Sequence, residues 1–245
     1  MNVTKKQRVI DFIPCMASAA VSAVCLLIYF FAFGHGFDLN VIKGIMVPVA
    51  AAVVPVVNLI FRIRIPFAFN IAVAAFAVCG LDFASLLNFY HYVPYYDKFL
   101  HTAFGIAGAF GVMIVLLYGK GETMRPWCFF LVVMLCVLGL AACWEIFEYI
   151  VHAATGADMQ HWTPDMSAVG DLTVKEFFED YNPLWDTIWD VIVAMFGVLI
   201  YYFIIFMDKV FGYKICRGIY RQVNTGRKSA SEEEEPTHRD GPPAE

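Results

Sequence analysis

The sequence predicts an all-α fold, a polytopic integral membrane helical bundle of about six transmembrane helices, and three observations carry that prediction. Of 245 residues, 60% are hydrophobic and only 16% charged, with mean hydropathy +0.64, far above soluble usage. The apolar residues fall into runs of about 20, long enough to cross a hydrocarbon core of roughly 30 Å. Unpaired backbone groups are so costly in lipid that uninterrupted runs of this length imply helices and not barrel strands.

In order, the runs are roughly 11–33, 42–61, 66–88, 99–118, 127–152 and 184–207. The first is longer than the ~7–15 residues of a signal-peptide apolar stretch, so it is read as a retained span. It and the second have almost no polar side chain in their middles, which suits a scaffold packed against lipid and neighbours. The third carries Asp82, the fourth opens with Asp97, Lys98 and His101, the fifth closes with Glu145, Glu148 and His152, and the sixth begins with Asp186 and Asp190.

Orientation follows from the basic residues, which accumulate in short cytoplasmic segments. Lys5, Lys6 and Arg8 precede the first span, Arg62 and Arg64 lie in the 2/3 turn, Lys120 and Arg125 in the 4/5 turn, and seven more follow the sixth span. Fourteen of the 17 basic residues therefore lie on one side, which places both termini in the cytoplasm. The seven cysteines (15, 25, 79, 128, 136, 143 and 216) all fall in spans or on that inner side. An odd number so placed argues for core-filling thiols and against a disulfide framework.

Residues 1–208 are accordingly read as a six-helix transmembrane domain whose one sizeable connection is the outer loop 153–183. Within that loop Thr173 and Glu176 have capping-box spacing, and Phe177, Phe178 and Tyr181 suit a short interfacial helix, either a lid over the outer mouth or a plain connector. Residues 209–245 are read as a cytoplasmic juxtamembrane segment followed by a disordered acidic tail. "GYKICRGIYRQVNTGRK" alternates aromatic and basic residues, as expected of a segment drawn to anionic lipid, and "SASEEEEPTHRDGPPAE" is acidic and Pro-rich. Membrane lipids are the expected partners, nucleic acid is not, and oligomeric state leaves no mark in the sequence.

At about 1.5 Å of rise per residue, Asp82, His101, Glu145 and Asp190 all reach a level about 6–10 Å below the outer ends of their spans. Charges at membrane depth are costly, so these groups are expected to face one another, water or a cation. Asp97/His101 and Asp186/Asp190 are spaced i,i+4 and Glu145/Glu148/His152 i,i+3,i+7, so each set occupies one helix face. Six carboxylates and two imidazoles share this level with one nearby lysine, Lys98. Such excess negative charge needs relief by protonation or by bound cations.

Carboxylates and imidazoles on facing helices also build metal sites, and mixed O/N donors suit one divalent cation, Mg, Mn or Zn. The candidate ligands are Asp97, His101, Glu145 and Asp190. The candidate catalytic groups are Asp186, Glu148 and His101, and Asp82 and His152 complete the pocket. Bland roles stay open: Asp97 and Asp186 sit where helix N-caps are expected, Glu148 and His152 are near enough to the surface to be solvated, and the deeper groups suit structural hydrogen bonding. Trp144, Trp185 and Trp189 flank the acids, and Tyr90, Tyr92, Tyr95 and Tyr96 crowd the 3/4 turn, either as an aromatic belt or as a groove lining.

"YDKFLH" (96–101), "CWEIFEY" (143–149) and "LWDTIWDVIVAMFG" (184–197) resemble blocks of the YjdF-like bacterial inner-membrane proteins. More distantly, Asp97-Lys98-x-x-His101, a later acid and Asp190 with Gly197 are similar to VanZ-like proteins. The likeness covers about 97–197; Ala194, Ile188 and Tyr149 depart from those patterns. It implies an envelope setting in the bacterial cytoplasmic membrane without implying a reaction. No acid-phosphatase, prenyl-diphosphate, alcohol-phosphotransferase or GxSxG signature is present. Three readings remain: a metal-dependent membrane hydrolase or transferase acting on a lipid or lipid-linked envelope substrate, a cation- or proton-coupled transporter, and a non-catalytic envelope module.

Overall fold

The structure, a computed structural model, describes residues 9–61, 63–155, 183–212 and 214–234. Six helices are long and apolar enough to cross a membrane: Val9–Ala32, Leu39–Ile60, Phe67–Leu86, Tyr96–Tyr118, Pro126–Ala154 and Leu184–Val210. Among the described residues there is no strand, and the protein is an all-α polytopic membrane protein. The expected lid and its capping box at Thr173 and Glu176 lie outside the described residues.

The chain forms two compact units. The first comprises Met1–Tyr92, Ile114–Glu122 and Met207–Glu245, and the second Val93–Met113 and Thr123–Phe206.

In the first unit, α1 (Ile13–Leu27) widens at its end into a π-helical turn, Ile28–Ala32. Its buried row is Ser18, Ser22, Cys25 and Tyr29, spaced along one helical face. Cys25 and Tyr29 pack with Val41 and Leu86 in an apolar cluster. α2 (Leu39–Ile60) starts at a capped end: Asp38 Oδ1 accepts from the N–H groups of Asn40 (2.9 Å) and Val41 (3.2 Å), and the Tyr29 hydroxyl donates to Asp38 Oδ2 at 2.5 Å. α3 (Phe67–Ala77) runs on as π-helix over Val78–Leu86, and a short α4 (Phe89–Tyr92) follows Asn88, whose φ of 54° ends the wide turns.

After the last span the chain reverses at Gly212, φ 98°, a conformation that favours glycine. It continues as α8 (Lys214–Glu234). Asp208 accepts from the N–H groups of Ile215 (2.9 Å) and Cys216 (2.8 Å) at the head of that helix. Ile219 and Val223, one turn apart, are its buried residues, and Gln222 accepts from the Phe67 N–H. α8 thus takes in 229–234, which composition assigned to the tail; residues 235–245 lie outside the described residues. All seven cysteines are free.

The second unit is built from α5 (Tyr96–Tyr118), α6 (Pro126–Thr155) and α7 (Pro183–Val210), the last turns of α5 and α7 belonging to the first unit. α6 buries Val133, Val137, Ala141, Glu145 and Glu148, a row of three i,i+4 steps and a final i,i+3 step that is apolar until its last turns. α5 and α7 meet at small residues. A methyl added to Gly105 would run into the Ala194 carbonyl, and one added to Gly197 into the Thr102 carbonyl. Contact this close needs bare backbone on both sides.

Candidate functional site

The close approach of α5 and α7 positions the charged side chains. On α5, Lys98, Thr102 and Gly105 are spaced i,i+4,i+7, and on α7, Asp186, Asp190, Ala194 and Gly197 follow the same helical stripe. The stripe that is bare backbone further along each helix carries ions at its head. Lys98 Nζ donates to Asp97 Oδ2 (2.9 Å), to Asp190 Oδ1 (2.7 Å) and to Asp186, so all three of its N–H groups have carboxylate acceptors.

The imidazole of His101, one turn along α5, stands between two groups of acids. Its Nε2 is 3.6 Å from Asp97 Oδ1 and 3.7 Å from Asp190 Oδ1, whereas Nδ1 is 3.8 Å from Glu145 Oε1 on α6. Glu148, one turn beyond Glu145, accepts from the indole N–H of Trp144 through Oε1 at 2.8 Å. Two overlapping sets result, Asp97–His101–Asp190 and His101–Glu145–Glu148, each with one donor atom per residue within 4.8 Å of the others.

The cluster has a wetter and a drier side. Asp97, Lys98 and Asp186 side chains are 24, 26 and 22% exposed, but Asp190, Glu145, His101 and Glu148 are only 2, 6, 7 and 8% exposed. Five carboxylates face one lysine and one imidazole, so a further cation or proton is needed for balance. Glu145 Oε1 is buried without a hydrogen-bond partner among the described residues, and its side chain is otherwise held by Thr187. A buried carboxylate oxygen left bare is costly unless something positive comes to it.

Eight residues singled out from the sequence are thereby located. Asp97, His101, Glu145, Glu148, Asp186 and Asp190 come together on α5, α6 and α7. Asp82 belongs to the first unit, where the Ser22 hydroxyl donates to its Oδ2 at 2.7 Å. Its other oxygen faces Gly44, where an added Cβ would lie 3.4 Å from Oδ1 and 2.7 Å from Leu86 Cδ1. His152 is half-buried on α6, four residues beyond Glu148, and belongs to neither ligand set.

Asp97 and Asp186, placed by the sequence where caps are expected, lie inside first helical turns and use their carboxylates on Lys98. Lys98 is the member of the cluster that the sequence pattern underweights. Its signal was the shared stripe with Thr102 and Gly105, opposite Asp186 and Asp190. Trp144, Trp185 and Trp189 are 42, 62 and 40% exposed, as an aromatic belt would be, and Trp144 also reaches into the site through its indole N–H.

Fold and site together define a multi-pass membrane protein with a buried, lysine-buttressed cluster of Asp, Glu and His. The chain belongs to the family described as predicted membrane protein (DUF2238), which matches residues 15–209. No curated protein and no solved structure matches the chain.

Proposed function

We propose that this chain is a divalent-metal-dependent hydrolase or transferase of the bacterial cytoplasmic (inner) membrane, with both termini cytoplasmic and its acidic pocket open to the outer leaflet. Its substrate is a lipid or lipid-linked envelope molecule. The blocks at 96–101, 143–149 and 184–197 support the setting through their likeness to YjdF-like and, more distantly, VanZ-like proteins. The observation that carries the proposal is the His101 ring, which turns Nε2 toward half-buried Asp97 and buried Asp190 and Nδ1 toward buried Glu145.

In this reading His101 and the acids around it hold one Mg, Mn or Zn ion. A buried cation bound by carboxylate and imidazole lowers the pKa of a water on its open position and polarises an acyl or phosphoryl oxygen. Asp186, on the wetter side, is placed to take a proton from an incoming nucleophile, and Glu148 to serve as base on the drier side. The test is elemental analysis of purified chain: about one divalent ion per chain in the wild type, lost in His101→Ala and Glu145→Gln. Metal-free protein with undiminished cellular function overturns the proposal.

The run of ionisable groups from half-buried Asp186 through Lys98, Asp190 and His101 to Glu145 favours a second reading, cation- or proton-coupled transport. That reading requires pH-dependent flux in proteoliposomes, abolished by Asp190→Asn, with no turnover of lipid.

A further inference from the structure

The two ligand sets share His101 but are not equivalent, because a resident cation already serves one of them. We infer that Lys98 decides where the divalent ion sits: its ammonium holds Asp97, Asp186 and Asp190, and the ion goes to His101 Nδ1, Glu145 and Glu148. The inference rests on the proposed metal binding and sharpens it to one ligand set and one positioning lysine.

On the Nε2 side every acid is engaged. Lys98 Nζ is 2.9 Å from Asp97 Oδ2 and 2.7 Å from Asp190 Oδ1, and it also donates to Asp186. A metal bonded to Asp190 Oδ1 at about 2.1 Å would lie no more than about 4.8 Å from that ammonium. Two like charges that close, one of them a half-buried ammonium, repel each other.

Among the described residues, no Lys or Arg forms an ion pair with Glu145 or Glu148 on the Nδ1 side. Glu145 is 6% exposed and its Oε1 has no partner among the described residues, while His101 Nδ1 faces it at 3.8 Å. Glu148, 8% exposed, receives a neutral indole N–H on one of its oxygens. One imidazole nitrogen and two carboxylates give three mixed N/O ligands, the number that leaves a fourth position open for water or substrate on a borderline ion such as zinc.

The tautomer agrees with this choice. Metal on Nδ1 puts the ring proton on Nε2, which faces Asp97 Oδ1 and Asp190 Oδ1. Those carboxylates then orient the ring from behind, as metal-binding histidines require. Lys98 holds them in place. Asp97, Asp190 and Lys98 are positioning residues, and the ligands are His101, Glu145 and Glu148, which takes Glu148 out of the base role and leaves that role to Asp186.

The experiment titrates zinc(II), and in parallel manganese(II), into full-length protein stripped by chelator in detergent, with helicity checked by circular dichroism. The wild type should take one ion. Glu148→Gln should weaken it by well over a hundredfold, whereas Asp97→Asn, which only loosens the ring, should cost about ten- to a hundredfold. Glu145→Gln is the second ligand variant should Glu148→Gln misfold, and it too should weaken binding by well over a hundredfold. Lys98→Met, similar in length but neutral, should open the Asp97–His101–Asp190 set and admit a second, weaker ion. Asp97→Asn weakening the ion as much as Glu148→Gln, or Lys98→Met retaining a single ion, overturns the inference while leaving metal binding intact. A wild type that takes no divalent ion removes both.

Discussion

Replacing Gly197 by alanine sets two opposed effects against each other. In an exposed helix interior, glycine to alanine stabilises by up to about 1 kcal/mol, because alanine loses less backbone freedom on folding. At Gly197 the new methyl meets the Thr102 carbonyl and lies 3.1 Å from both Gly105 Cα and Ile106 N. Carbon contacts are relaxed near 3.5 Å, so α5 and α7 must part by roughly 0.4 Å at those two atoms and by more at the carbonyl. Because the obstacles are backbone, no side chain can turn aside. Overpacking of this kind costs about 1–3 kcal/mol, and the same separation takes Lys98 Nζ and Asp190 Oδ1 from 2.7 Å to the limit of a hydrogen bond. The net expectation is a loss of about 1–2 kcal/mol, a fall in Tm of roughly 2–8 °C for a chain of this size. Gly139 on α6 is the matched control, since a Cβ there meets nothing within 4 Å; Gly139→Ala should leave Tm unchanged or raise it. Thermal unfolding of both variants in one detergent decides the matter. Equal shifts of the same sign would refute the close-approach argument.

Asp38→Ala should cost about 1 kcal/mol at neutral pH through loss of the α2 cap. Burial pushes the Asp38 carboxyl up, but hydrogen bonds from the Tyr29 hydroxyl and from the Val41 and Asn40 N–H groups outweigh it and hold the group below its ordinary value. That contribution is therefore present above the ordinary carboxylate value of about 3.9 and lost as pH falls through the folded one. The Tm gap between wild type and variant should close in acid, and a gap that widens there contradicts the assignment. Ser22→Ala strips the buried Asp82 of its hydrogen-bond donor and should destabilise by about 1–3 kcal/mol, measurable by thermal unfolding, while Ser22→Thr keeps most of the loss away. Cys216, whose thiol burial and then the Asp208 carboxylate push up to about 11, should react with maleimide at pH 8 roughly a hundredfold more slowly than an ordinary thiol. A single-cysteine variant labelled at the ordinary rate refutes that environment.

Span number was legible because twenty apolar residues in a row leave little alternative to a membrane helix, and the spans end within a few residues of where hydropathy put them. The rows Asp97/His101, Asp186/Asp190 and Glu145/Glu148 were legible for a similar reason, since spacing alone puts them on single faces. Asp82 shows where that method stops. Depth along a span says nothing about which neighbours a side chain turns to, and its segment widens into π-helix, Val78–Leu86, where counting in steps of 3.6 no longer assigns faces. Lys98 escaped for another reason: beside several acids one lysine reads as incidental, and only the fit of Gly105 against Ala194 brings it within reach of α7.

The Trp144 indole donates to Glu148 across one turn of α6. The pocket therefore carries its own fluorophore, bonded to one of the two glutamates that would receive an ion. Any change in the charge seen by that carboxylate, whether a proton, a metal or a substrate group arrives, alters the field across the ring and shifts its emission. With Trp127, Trp162, Trp185 and Trp189 replaced by phenylalanine, occupancy becomes readable by light alone, in detergent or in vesicles, before any substrate has been identified.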